Sequence, residues 1–397
     1  MRMLVIGAGM VGWAAAYDMA RAARVESITI ADCNEQTVNE AVARIGQWTR
    51  TGKVRSITLD AADMTTARGA MLRHDGVLSA VPSFLNLDLA KAAIESKYHF
   101  VDVGGNNTVV KQELALHDDA ADAGVAIFAD CGLSPGLASI VGGELLRRVG
   151  GNSDTLRTYV GALPQNPPPP LDYQLVLSVE GLSNQYCGPA GILHEGKMST
   201  IGPLTQVETF TMDGFPELEA FHASGCTSTL SETFQGQVGE CFEKILRYPG
   251  RLAKLRALYD FDLFASEKRS LKGVQVARRQ VMSRPFQDKF AGDQPDVTIL
   301  RVEAELHNVV ASFSMVDYTD SVTKMTSRVR ATAWPASNVL QMLIAGEISK
   351  RGVIRQELDI PAQLFLNEMA VRGVGIGYCI ETKQELCHEV MADVQVS

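Results

Sequence analysis

Met3-Leu-Val-Ile-Gly-Ala-Gly-Met-Val-Gly12 is an apolar run that ends in three glycines spaced G-x-G-x-x-G. An Ala-rich, helix-favouring run, Trp13 to Ala23, follows directly. The order predicts a buried parallel strand, a tight turn and a helix. Gly7 permits the turn, Gly9 removes the Cβ that would block a pyrophosphate, and Gly12 lets the helix pack close to the strand. Met10 and Val11 open that helix, whose first N–H groups and positive dipole end suit phosphates. Ser27-Ile-Thr-Ile-Ala-Asp32 reads as the next strand, and Asp32 stands twenty residues after Gly12. A carboxylate there accepts the ribose hydroxyls and repels a 2′-phosphate. The expectation is a Rossmann domain that takes NAD.

Working outward, strands alternate with helical segments through the first third. Val54–Leu59, Val77–Val81, His99–Val103 and Val125–Ala129 are the further strands of a doubly wound sheet. Their C-terminal ends should line the ligand crevice. Ala80, Val81 and Pro82 lie there, as do Gly104 and Leu133 in the segments Asp102-Val-Gly-Gly105 and Asp130-Cys-Gly-Leu-Ser-Pro-Gly136. Asp60 and Ala61 could contact an adenine ring, although a helix start at Asp63 explains that loop equally well. Asp102 and Asp130 serve either the site or local turns. Ser134 reads as the N-cap, and Pro135 as the first residue, of a helix running to Arg148.

From Thr155 the pattern changes. Short alternating runs at Thr158–Gly161, Gln206–Met212, Cys241–Arg247, Val297–Leu306, Val309–Met315 and Thr323–Ala331 predict a largely antiparallel sheet. Tyr173–Tyr186, Pro249–Tyr259 and Gly273–Met282 read as helices, the first of them after the stiff Asn166-Pro-Pro-Pro-Pro170 crossing. Beyond Pro335, the helices Ser337–Ile348 and Pro361–Arg372 need a surface to pack on and are expected to return to the first domain. The reading is α/β: a doubly wound Rossmann domain, residues 1–133 with 336–397, and an α+β domain, residues 134–335, for substrate binding and dimerisation.

Bulk properties narrow the function. The net charge of −9 gives no electrostatic reason to expect nucleic acid or an anionic membrane. No run of eighteen apolar residues appears, and the first strand begins at residue 3, which leaves no room for a signal peptide. Seven cysteines without C-x-x-C spacing suggest reduced thiols, with neither a disulfide framework nor a metal site. The expectation is a cytoplasmic homodimer or higher homo-oligomer that acts on a small amino acid.

The opening glycines, Ala80-Val-Pro82, Val101-Asp-Val-Gly-Gly105 and Asp130-x-Gly-x-x-Pro-Gly136 resemble the saccharopine dehydrogenase-like reductases. In the second domain, Tyr159–Pro164, Pro169–Tyr173, Ser178–Leu182, Glu219–Gly225, Thr227–Leu230 and Arg247-Tyr-Pro-Gly250 are similar to the lysine 6-dehydrogenases. Two departures are Cys226, where that pattern has glycine, and Arg251, where it usually has histidine. The resemblance implies NAD-dependent oxidative deamination of the lysine side-chain amine. Its products are the 6-semialdehyde, which cyclises to piperideine-6-carboxylate, together with ammonia and NADH.

Such chemistry needs a cation for the carboxylate, an acceptor for an amine and a group that moves a proton. Arg247 is the bidentate candidate for the carboxylate. Glu180 or Asp102 could receive an amine, and His222 is the first choice for proton transfer. Tyr173, Ser224, Thr227 and Thr229 are candidate substrate contacts, or else core and turn residues. The alternative enzyme is an opine-type reductase acting on a secondary amine, which needs a second cation from Arg251, Lys254 or Arg256. A catalytically silent NAD-binding sensor would need no second-domain pocket.

Overall fold

A computed structural model describes residues 1–175, 179–224, 228–292 and 294–382, with the backbone alone at Val179, Glu180 and Leu271. The first third folds as read. Strands β1 (Arg2–Ile6), β2 (Ser27–Asp32), β3 (Val54–Thr58), β4 (Gly76–Ser79), β5 (His99–Asp102) and β6 (Ala126–Phe128) alternate with helices. Along β1 the side chains alternate between two cores. Met3 and Val5 join one hydrophobic cluster, and Leu4 and Ile6 join the other. A strand covered on both faces has to be apolar throughout, which is why this run shows no polar alternation.

The second domain holds β7 (Ser153–Pro164), β8 (Ala190–His194), β9 (Lys197–Ile201), β10 (Glu208–Phe210), β11 (Leu218–His222) and β12 (Val238–Arg247). A separate hairpin, β13 (Lys268–Leu271) and β14 (Val274–Ala277), precedes β15 (Asp296–Leu306) and β16 (Val309–Tyr318). Two late strands, β17 (Gly352–Val353) and β18 (Gly377–Thr382), follow. The first sheet is parallel, in the order β17-β6-β5-β4-β1-β2-β3. The second runs β10-β11-β12-β7-β15-β16-β18, with β8 and β9 attached through β12. Its pairs are antiparallel apart from β12 with β7. One face of this sheet shares a core with the nucleotide domain, since Ile245, Leu300, Val302 and Phe313 cluster with Trp13, Leu137 and Leu340. The other face carries Tyr159, Leu163, Leu218, Ala220, Leu246 and Ile299.

Several expectations need correction. Thr323–Ala331 is not a strand, and Pro335 does not end it. One helix, Ser327–Ile344, runs through Pro335. An internal proline costs roughly 3 kcal/mol in an isolated helix. Here the helix is buried along most of its length and packs on Met10–Arg21, β4 and β5, so tertiary burial outweighs that cost. Strand β17 then joins β6, but β18 crosses back to pair with β16. The stretch after residue 336 is therefore not wholly part of the nucleotide domain. Residues 383–397 lie outside the described residues. Of Tyr173–Tyr186, Val179–Asn184 is helical. Gly273–Met282 divides into β14 and the helix Arg278–Phe290. The β8–β9 hairpin escaped the reading, although its turn residues Glu195 and Gly196, at φ +49° and +73°, form the left-handed pair that suits a tight hairpin. No helix among the described residues is long and apolar enough to cross a membrane.

Candidate active site

The glycine turn has the geometry its spacing demands. Gly7 sits at φ +100°, and a Cβ there would meet the Ala80 carbonyl oxygen at 2.5 Å. A Cβ on Gly12 would lie 1.8 Å from the Gly7 oxygen, whereas one on Gly9 would meet nothing within 4 Å. The helix Met10–Arg21 starts without a side-chain cap or an acidic residue in its first turn. Met10 is exposed and Val11 half-buried beside this free end. An open, uncapped helix start flanked by glycines fits a dinucleotide pyrophosphate. The Asp32 carboxylate accepts from the Ala8 N–H at 2.8 Å and the Asn34 N–H at 3.0 Å, which pins it against the turn. Asp60 accepts from the Ala62 N–H, and Ala61 is buried. Asp63 caps the helix Met64–Met71, so the capping explanation of this loop holds at that residue. Ala80 and Val81 are half-buried at the end of β4, and Pro82 is exposed.

The crevice floor is built by carboxylates. Asp102, fully buried, accepts from the Gly104 N–H at 2.6 Å and the Asp130 N–H at 3.1 Å. Asp130, at φ +63°, accepts from Gly105, and a Cβ on Gly104 would collide with it. The turn-forming role of both aspartates is thus realised. Asp102 lies beside the buried Glu113, and burial together with like charge raises both carboxyls well above their usual range. Burial also raises Asp130, to about 6. Leu133 is buried in the core. Ser134 is not the helix cap, a place held by Gly136. Its hydroxyl instead donates to Glu243 at 2.5 Å.

Above this floor stands a group of cations. Arg247 ends β12, donating to the Leu246 carbonyl and to Gln185 at 3.2 Å, while its Nε has no acceptor among the described residues. Arg251 is 1% exposed, lies 4.2 Å over the Tyr173 ring beside Tyr186, and donates Nη1 to the Asp172 carbonyl at 3.3 Å, while its Nε and Nη2 have no acceptors among the described residues. Burial, then Arg247, lowers it to about 10. Arg328, at the start of the helix Ser327–Ile344, likewise has no partner for its Nε among the described residues, and burial and Arg247 depress it. That helix reaches the floor four residues on, where Thr332 lies against Gly132. Each buried N–H left without an acceptor costs roughly 1–3 kcal/mol, and neighbouring like charges add repulsion. An incoming anion relieves both.

The remaining expected residues scatter. His222 does not join Arg247. Side chains alternate along β11, so it projects from the face opposite Phe221, toward Gln206 at 3.1 Å and the Phe242 ring. Its other ring nitrogen meets the Glu243 carbonyl oxygen, and burial and Lys244 lower it to about 4. Ser224 donates to the Gly188 carbonyl. Thr229 donates to the buried Glu357 at 3.1 Å. Tyr173 is buried edge-on to Phe290 as well as under Arg251. The Glu180 side chain and Thr227 lie outside the described residues. Lys254 pairs with Asp172 at the surface and Arg256 is largely exposed, so of the suggested second cations Arg251 alone is buried here. Sequence reasoning missed Glu243 and Arg328. Glu243 was within reach, since it shares strand parity with Arg247. Among the described residues no cluster suits a metal ion.

Comparison with known proteins bears on this arrangement. Residues 3–128 match the saccharopine dehydrogenase NADP binding domain, and residues 132–374 match the saccharopine dehydrogenase C-terminal domain. The saccharopine dehydrogenase (NADP(+), L-glutamate-forming) of Pyricularia oryzae is 23% identical over 254 residues, 62% of this chain and 55% of that protein. The mitochondrial alpha-aminoadipic semialdehyde synthase of Mus musculus is 25% identical over 225 residues, 55% of this chain and 23% of that protein. The chain thus spans about half or less of these relatives. In structure, apo saccharopine dehydrogenase (L-Glu forming) from Saccharomyces cerevisiae superposes with a TM-score of 0.76 at 16% identity, covering 96% of this chain and 100% of that one. With both of its domains matched on a shared fold, the chain belongs to the saccharopine dehydrogenase family of oxidoreductases.

Proposed function

We propose that this protein is an NAD-dependent dehydrogenase of the carbon–nitrogen bond in an amino acid that carries more than one carboxylate, an opine-type secondary amine such as saccharopine. The observation behind this reading is the group of three arginines, Arg247, Arg251 and Arg328, whose buried N–H groups lack acceptors among the described residues. Free lysine has one carboxylate and two amines, so it would leave most of these donors unmet. A secondary amine joining two amino-acid halves has a carboxylate for more than one guanidinium. Arg251 stands where the lysine 6-dehydrogenase pattern usually has histidine, so this chain has an added cation at that position.

Preference for NAD rests on Asp32. Cys33 and Asn34 follow it, and neither supplies a positive charge for a 2′-phosphate. The bound dinucleotide would accept the hydride from the carbon beside nitrogen. The protein's own part is to orient the substrate. Arg247, Arg251 and Arg328 anchor the carboxylates, while Asp102 and Asp130 hold the floor loops in register.

A second reading, oxidative deamination of the lysine side chain, is favoured by the second-domain runs Tyr159–Pro164 and Arg247–Gly250. A panel of lysine, ornithine and saccharopine, each with NAD and with NADP, separates the two. Reduced nicotinamide without ammonia supports C–N cleavage of a secondary amine. Ammonia formed in step with reduced nicotinamide from lysine supports deamination and removes the first reading.

A further inference from the structure

We infer that Glu243 is the proton acceptor for the substrate nitrogen, with Ser134 as its positioning residue. This inference rests on the C–N dehydrogenase reading and names the group that reading leaves open.

Strand parity sets the direction of Glu243. Cys241 and Ile245, its neighbours at i ± 2, belong to the core shared with the nucleotide domain. Glu243 therefore projects toward the crevice, as does Arg247 four residues on. The Ser134 bond ties the Glu243 carboxylate to the segment that closes β6, at the C-terminal edge of the first sheet. In a doubly wound fold the ligand lies along that edge. Glu243 is 4% exposed, so bulk water does not screen it.

Among the described residues, charged and titratable groups reach Glu243 from more than one element. Arg328 lies near it on the long helix, Cys241 lies near it on its own strand, and Arg247 ends that strand. His222 meets its backbone carbonyl from the opposite face. The carboxylate thus lies beside the arginines proposed to bind the other end of the substrate.

A proton passes from the substrate's ammonium nitrogen to the Glu243 carboxylate, leaving a neutral amine and a carboxylic acid. The freed lone pair forms the C=N bond as the adjacent carbon gives up one hydrogen with two electrons to the dinucleotide oxidant. Water adds to that carbon. The nitrogen regains the proton held on Glu243 and takes one from water, the C–N bond breaks to a carbonyl, and the second proton of water goes to solvent.

The test is steady-state kinetics of the full chain with NAD and its best amino-acid substrate from pH 6 to 10, alongside NAD titrations. Glu243→Gln should lower kcat by about 100-fold or more, the usual range for losing a general base. KM and NAD affinity should change little, and the acidic limb of kcat/KM should vanish. Ser134→Ala keeps the carboxylate but removes a hydrogen bond to its charged form, so the acidic limb should move to higher pH. A Glu243→Gln enzyme within threefold of wild-type kcat that keeps its acidic limb overturns the inference. Should that variant fail to bind NAD, the Ser134→Ala profile decides: a shifted limb supports the inference and an unmoved one overturns it. A wild type inactive on every amino acid overturns the underlying reading, and this inference with it.

Discussion

Ser134 and Glu243 are joined by a 2.5 Å hydrogen bond, although 109 residues separate them in the chain. One belongs to the segment that closes the nucleotide-binding sheet, and the other to the middle of the second sheet. The bond ties the crevice floor to the strand that ends in Arg247. A site assembled this way depends on docking of the two domains, and its parts can be perturbed separately.

The glycine turn offers the cleanest separation of fold from ligand. Gly9→Ala adds a methyl group that meets no protein atom within 4 Å. It should leave the melting temperature within about 2 °C of wild type, as expected of a change under 0.5 kcal/mol. It should still weaken NAD binding at least tenfold by occupying the pyrophosphate's space. Gly12→Ala drives a Cβ to 1.8 Å from the Gly7 oxygen and should lower both. Thermal melts paired with NAD titrations check this.

Asp32→Ser should raise NADP affinity and reduce NAD affinity, narrowing the preference by about tenfold or more, equivalent to about 1.4 kcal/mol. The wild-type carboxylate is pinned by Ala8 and Asn34, so it cannot swing aside for a 2′-phosphate. Fluorescence titration of both cofactors measures it. Tighter NADP than NAD binding by the wild type would contradict the assignment.

Arg328→Met should raise KM for the multi-carboxylate substrate by about tenfold or more and leave NAD affinity unchanged. In the substrate-free protein it removes one of three neighbouring cations, so the melting temperature should hold or rise. A variant with unchanged KM and a lowered melting temperature would give Arg328 a purely structural role.

Stability should fall as pH rises through neutral into alkaline solution. Burial raises Asp102, Glu113 and Asp130 above the values of 3.8, 4.5 and 3.8 expected for unperturbed groups. The native state therefore holds protons that the unfolded chain has already lost, and unfolding gains from each pH increment until the folded-state pKa is passed. The stabilisation is fully present below about pH 4 and is lost progressively above it. Glu113→Gln, neutral throughout, should flatten the alkaline part of this slope. Urea midpoints at pH 6 and pH 9 for both proteins measure it, and parallel slopes would contradict it.

The parts of this molecule legible in its sequence are those where backbone geometry dictates residue type. The turn from Gly7 to Gly12 and the acid ending β2 demand particular residues at particular spacings. Where tertiary packing overrode local rules, the reading failed. Pro335 looks like a helix boundary, but the helix continues because Val329, Ala333, Ala336 and Leu340 are buried against the nucleotide domain. That error hid Arg328, since the segment containing it read as a strand. His222 was misread for a simpler reason. It lies one residue from Phe221, and on a strand a single step moves a side chain to the other face. Glu243 went unnoticed because a glutamate in an alternating strand ordinarily faces solvent, although its strand parity with Arg247, and in the structure its bond to Ser134, show that this one does not.

The most direct test of the account is the ratio of kcat/KM for saccharopine to that for lysine, measured with NAD at pH 9 while ammonia is assayed in parallel. The account predicts a ratio of about 100 or more, with a primary amine and a carbonyl compound formed and no ammonia. Lysine as the better substrate, with one ammonia released per NADH, would contradict it.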